Sequence, residues 1–297
     1  MAGHYWLIAD FCDFAVAERI VVFSRQVQAR PAMSEIILHA KGLNKSFGAV
    51  VAAAEIDVEV PAGACLGLIG TNGAGKTTFV NMITGYLKPD SGTVEFNGRD
   101  ITQLPPREIT QLGICRSFQI PQLYNTLTAL ENLEVSYGIV SLVAHKGSLF
   151  TRTQAVIPGY GKTIRQLAEE SLERFGLTAY RDKVARVLPG GVRKLLDIAM
   201  AMAMRPKILL LDEPTSGVST EEKFQIMEMV MHAVRQGNTT VLFVEHDMEI
   251  ISKHAERVLA FYEGRIIADA PPEIALKDER VVKYIVGKSH AAVTPGH

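Results

Sequence analysis

One segment constrains this chain more than any other: Gly70-Thr71-Asn72-Gly73-Ala74-Gly75-Lys76-Thr77, a GxxxxGKT pattern. It follows the apolar run ACLGLIG at 64–70 and leads into KTTFVNMITGYL, so it joins a strand-like run to a helix-like one. Glycines in such a turn let the backbone curl until successive N–H groups point inward, and the helix that follows directs its positive end at the same point. Phosphate groups suit that concavity. Lys76 would then reach the β- and γ-phosphates of a nucleotide, Thr77 would offer its hydroxyl to magnesium, and Thr78 would touch the α-phosphate.

The runs KILLLDE at 207–213 and TTVLFVE at 239–245 are almost continuously apolar, as parallel strands covered on both faces require. Each is followed by helix-compatible sequence, TEEKFQIMEMVMHAVRQ and DMEIISKHA. That alternation predicts an α/β sheet. Short β-rich runs near 35–39, 54–60 and 93–97, separated by polar and glycine-rich turns, predict an antiparallel sheet early in the chain. Between about 124 and 188 strand runs give way to stretches such as GKTIRQLAEESLERFGL, which predicts an inserted helical subdomain.

The chain has 297 residues, 47% hydrophobic and 21% charged, enough for one large domain or two small ones. Lys and Arg number 31 against 32 Asp and Glu, so no net charge draws it to nucleic acid, which is not expected as a partner. Cys12, Cys65 and Cys115 are far apart, odd in number and without CxxC spacing, which speaks against a disulfide framework or zinc site and for a reducing cytoplasm. No run reaches the about 18 apolar residues of a spanning helix, so membrane association is expected to be indirect, through a partner. Asp10, Asp13 and Glu18 interrupt the apolar first segment, so it does not read as a signal peptide. Residues 1–33 are expected to be a poorly ordered extension and 289–297 a tail, with one domain over 34–288 and its helical subdomain at about 120–190.

Two adjacent carboxylates, Asp212 and Glu213, end one of the buried runs at the carboxyl edge where α/β sheets bind ligands. Asp212 is placed to hold magnesium, and Glu213 to orient the attacking water, since phosphoryl transfer depends on positioning and charge stabilisation. His246, just past the next apolar run, could donate to the γ-phosphate or to that water.

The order GTNGAGKTT, LPGGV at 188–192, ILLLDEPTSGVS and VEHDM resembles the ATPase subunits of ABC transporters. That resemblance implies an α/β P-loop NTPase core with an antiparallel β subdomain and an inserted α-helical subdomain, ATP and Mg2+ as cofactors, and ATP hydrolysis that drives a membrane permease. It places Phe47, in KSFGAV, against adenine, and Gln119, in RSFQIPQLY, as a sensor of magnesium and water with a catalytic role beside Glu213 and His246. It also implies a head-to-tail dimer with a second ATPase subunit, identical or different, over whose phosphate loop Gly190 and Gly191 would close. In the LPGGV segment Pro189 replaces a serine and Val192 a glutamine of the family pattern, which predicts a weakened second half-site. Ser219 stands where the family usually has Asp or Asn.

Finer stretches, GYLKPDSGTVEFNGRDIT, ICRSFQIPQLYNTLTALENL and VEHDMEIISKHAERVLAFYEGRIIADAPPEI, resemble the importers of branched-chain amino acids and urea. The resemblance implies a solute-binding protein in the same system, a location on the inner face of the cell membrane, and a permease groove lined by Gln119 to about Val135. Open alternatives are a related lipid exporter, an ABC protein of translation or DNA repair, and a weakly hydrolysing or non-hydrolysing subunit paired with a second ATPase.

Overall fold

A computed structural model describes residues 35–117, 119–144, 156–235 and 237–287 of the chain. The extension 1–33 and the tail 289–297 lie outside the described residues. Two sheets organise the rest. In the first, β1 (Ile36–Phe47), β2 (Val50–Pro61), β4 (Ser91–Phe96) and β5 (Arg99–Asp100) pair antiparallel in the order β2-β1-β4-β5. β2 shows the physical reason: Ile56, Val58 and Val60 are buried while Glu55, Asp57 and Glu59 face water, the period of a sheet covered on one side.

The second sheet comprises β3 (Cys65–Gly70), β6 (Ile114–Ser117), β7 (Ile208–Asp212), β8 (Thr240–Val244), β9 (Arg257–Tyr262) and β10 (Arg265–Ala270), in the order β10-β9-β3-β8-β7-β6. Every neighbouring pair from β9 to β6 is parallel, and β10 closes the edge antiparallel to β9. β3, β7 and β8 are buried at every residue. Successive side chains feed two different cores: Leu209, Leu211, Val241 and Phe243 point into one, Leu210, Leu242 and Val244 into the other. A strand with apolar neighbours above and below cannot alternate with polar residues, hence the unbroken apolar runs.

The helix α1 (Lys76–Ile83) buries Phe79, Val80, Met82 and Ile83 in the core shared with the first sheet. After α2 (Pro106–Leu112), the chain between β6 and β7 carries α3 (Ala129–Ala144), α4 (Ile164–Arg174) and α5 (Gly190–Met202). α4 starts at a capping box in which the Thr163 hydroxyl and the Gln166 side chain each accept from the other's backbone N–H. A bond of 2.7 Å between Tyr137 and Ser171 hydroxyls ties α3 to α4. The helices α6 (Thr220–Arg235) and α7 (Met248–His254) follow β7 and β8.

β6, β9 and β10 were not anticipated from sequence. β6 is only four residues long, below what periodicity can detect. The β9–β10 hairpin turns through Glu263 and Gly264, both at positive φ (47° and 76°), as tight hairpin turns demand, so this pair and the buried apolar run Val258–Phe261 ahead of it are its local signals.

Candidate nucleotide site

The loop from β3 to α1 keeps its shape because two of its glycines have no room for a side chain. A Cβ on Gly70 would lie 2.5 Å from the Phe261 carbonyl oxygen, and one on Gly75, at φ 108°, 2.6 Å from that of Ala52. Lys76 is buried, and its ammonium donates to the carbonyl oxygens of Gly70 at 2.6 Å and Thr71 at 3.0 Å. Burial lowers its pKa, opposed by the charges of Glu213 and Asp212. No side chain caps α1 and its first turn carries no acid, so its leading N–H groups and positive end suit an anion. The hydroxyl-bearing Thr77 is exposed beside it. These donors fit the phosphates of a nucleotide.

At the end of β7 the two carboxylates diverge. Asp212 turns to Arg116 of β6, whose guanidinium donates to its Oδ2 at 2.5 Å and to Asn81 Oδ1 of α1 at 2.6 Å. Glu213 has φ 47°, left-handed for a residue with a side chain, and its N–H donates to the Val244 carbonyl at 3.1 Å. Its carboxylate is held from both sides: Gln119 Nε2 donates to Oε2 at 2.9 Å, and His246 Nε2 lies 3.0 Å from Oε1.

A cavity of about 630 Å³ is lined by Asn72, Gly73, Ala74, Gly75, Lys76, Thr77 and Thr78 together with Gln119, Glu213, Val244 and His246. The structure therefore gathers four distant segments around one space. Gly70, Thr71 and Asp212 adjoin that lining along the chain without forming part of it. Phe47 stands on the β1–β2 hairpin, 52% exposed, and does not line the cavity. Gly190 and Gly191 open α5 beyond it; a Cβ on Gly191 would meet Ile226 Cδ1 at 3.0 Å and one on Gly190 the Gly217 oxygen at 3.8 Å.

The sequence model described as ABC transporter matches residues 53–216, more than half of the chain. The chain belongs to the ABC transporter family. The ATP-binding protein LivG for probable branched-chain amino acid transport, from Archaeoglobus fulgidus, is 34% identical to this ABC ATPase over 88% of the chain and 99% of the relative. The ATP-binding protein BraF for high-affinity branched-chain amino acid transport, from Pseudomonas aeruginosa, is 32% identical over 86% of the chain and 100% of the relative. An ATP-binding cassette of an ABC transporter solved in its ADP conformation is 31% identical, superposes with a TM-score of 0.72, and is matched over 86% of this chain and 100% of its own.

Three polar residues of this ABC ATPase site were not singled out in the sequence. Arg116 occupies Asp212, as described. Glu245, 4% exposed, accepts from the Thr215 N–H at 3.1 Å, the Thr215 hydroxyl at 2.7 Å and the His246 N–H at 3.2 Å, which fastens the segment after β7 to the start of the His246 turn. Burial raises its pKa against those hydrogen bonds. Lys194 of α5 reaches backbone near both Gln119 and Glu213. Only a charged residue inside an apolar run hints at each, and that signal does not name a partner. Cys65 and Cys115 are buried free thiols, pushed by burial up to about 12. No helix among the described residues is long and apolar enough to cross a membrane.

Proposed function

We propose that this ABC ATPase energises import of branched-chain amino acids or a closely related solute, hydrolysing Mg-ATP on the cytoplasmic face of the cell membrane beneath permease subunits. The observation that carries the hydrolytic reading is the Glu213 carboxylate fixed between Gln119 and His246 at the rim of the phosphate loop. A carboxylate in that position can accept a proton from a water aimed at the γ-phosphate, while His246 donates to the phosphate oxygens and Lys76 neutralises charge as it builds. Before nucleotide arrives, the Lys76 ammonium rests on loop carbonyls that it can release to phosphate.

Thr77, Gln119 and Asp212 would hold the magnesium. Thr77 and Gln119 line the cavity and Asp212 adjoins it with its Oδ2 held by Arg116, so an ion there would take only part of its coordination from these donors and the rest from nucleotide oxygens. Bound there, magnesium would supply positive charge that offsets the charge of the phosphates. Phe47 and its exposed cross-strand partner Val50 offer apolar surface for adenine at the hairpin tip. Gly190 and Gly191, at the start of α5, would face the nucleotide of a second ATPase subunit. Pro189 caps α5 without a side-chain bond, which supports a weaker hold on that nucleotide, and pairing with a different ATPase subunit would then make the two sites unequal.

For the permease the best-suited surface is a second cavity, about 980 Å³, lined by Tyr86, Arg107, Ile139, Val143, Met200 and Met204 among others. Residues 119–135 lie outside that lining and end one residue before Ser136 of α3, which belongs to it. The names of the relatives support the cargo class, and with it a solute-binding protein that delivers the solute.

Uptake of radiolabelled leucine by cells lacking this gene tests the reading when the gene is restored as wild type, Lys76→Ala or Glu213→Gln. Wild type is expected to restore uptake and neither variant to do so; uptake that does not depend on the gene refutes the cargo class. In purified protein Lys76→Ala should weaken ATP binding while Glu213→Gln retains it and accumulates an ATP-bound dimer. Equal loss of binding in both contradicts the role assignment.

A further inference from the structure

The second turn of α5 carries a lysine that does not reach solvent. Lys194 is 4% exposed, and its ammonium donates to two main-chain carbonyls, that of Gln119 and that of Glu213, the latter at 3.2 Å. Asp197, three residues on, accepts the Gln122 N–H at 2.8 Å, so one face of α5 grips the 119–122 segment twice. Burial lowers the Lys194 pKa, and the carboxylates of Asp197, Asp212, Glu213 and Glu245 oppose the shift.

A buried ammonium is expensive to desolvate, and an unbranched apolar side chain would fill the same space. What the ammonium adds is position. The two peptides it fixes carry the side chains that meet at 2.9 Å over the phosphate loop. One of them, Glu213, is in a left-handed conformation that side-chain-bearing residues keep only under restraint. Its N–H is held by Val244 and its carbonyl by Lys194, so the residue is clamped on both sides of its own torsions.

We infer that Lys194 is a positioning residue for hydrolysis, a buried cation that holds Gln119 and Glu213 in mutual register from the helix beginning at Gly190. The inference rests on the proposed reading of those two side chains as the groups that aim the water. Lys194 touches neither phosphate nor water itself; it acts through the geometry of two backbones. A misplacement of the carboxylate by an ångström lowers the rate without altering the loop that binds nucleotide.

The test uses the full chain as Lys194→Met and Lys194→Arg, with Glu213→Gln as control, and measures ATP affinity without magnesium, thermal midpoint, kcat and KM. The methionine variant is expected to bind ATP within about twofold of wild type and to lose about 30-fold or more in kcat at unchanged KM, as a pure positioning loss does. Arginine, a cation that can still donate to both carbonyls, is expected to recover most of that loss. A methionine variant with kcat within about threefold of wild type overturns the inference, and so does one whose affinity and kcat fall together. Should it fail to fold, Lys194→Gln, polar but too short to reach both carbonyls, is judged by the same limits. Hydrolysis by Glu213→Gln at the wild-type rate would instead refute the reading of the site itself, a result separable from any Lys194 measurement.

Discussion

Asp212 and Glu213 are neighbours in sequence with different electrostatic surroundings, and the difference is testable. Asp212 shares a largely buried ion pair with Arg116, the side chains 12% and 9% exposed. Arg116→Met leaves that carboxylate without its cation and is expected to destabilise the fold by about 3–5 kcal/mol in urea unfolding, with part of the loss recovered in Mg-ATP. Glu245 gives a pH signature. Burial raises its pKa above the usual 4.5, so the folded state holds the proton more tightly than the unfolded chain. Its contribution is complete below about 4.5 and fades as pH rises through the folded value. Glu245→Gln should therefore flatten the decline of stability above pH 4.5, and parallel pH profiles of the two proteins would contradict this. The residues that bind phosphate were readable in sequence because the turn demands glycine and lysine at fixed spacing. Arg116, Lys194 and Glu245 were not, because their partners lie 96, 75 and 30 residues away.

Helix starts decide the next scale. α5 begins at Pro189, whose side chain accepts no backbone N–H. Pro189→Ser supplies a capping oxygen, worth about 1 kcal/mol, and should raise the thermal midpoint by about 2–4 °C. If the serine donors also matter to a second subunit's nucleotide, turnover of the dimer should change more than about twofold, and a smaller change confines the effect to stability. Ser219, a departure from the family pattern, closes a capping box at α6: its hydroxyl accepts the Glu222 N–H at 3.3 Å, and the Glu222 carboxylate accepts the Ser219 N–H at 3.0 Å. A local hydrogen-bonding job thus accounts for a serine there. β3, β7 and β8 were legible from their unbroken apolar runs, whereas β6 is too short to register, and β9 and β10, though partly apolar, form a hairpin with no helix between them to mark a strand–helix unit.

Across the whole molecule, a nucleotide cavity lined from the β3–α1 loop and a second, more apolar one lined from α2, α3 and α5 have no lining residue in common. Ile139, half exposed in the second cavity, is far in sequence from the phosphate loop. Ile139→Asp is expected to abolish co-purification with permease subunits from membranes while the isolated subunit keeps its ATP affinity; retained co-purification would place the docking surface elsewhere. By itself the sequence determined the α/β class, the phosphate loop, the carboxylate pair and the family, because each depends on residues close in the chain whose backbone geometry or periodicity is locally imposed. Tertiary structure alone decided which carboxylate is ion-paired and which is poised, that Gln119 and His246 converge on Glu213, and that Lys194 stands beneath them. Those outcomes depend on strand order and on charges buried together across long separations, where desolvation makes the choice of partner decisive and no local pattern records it.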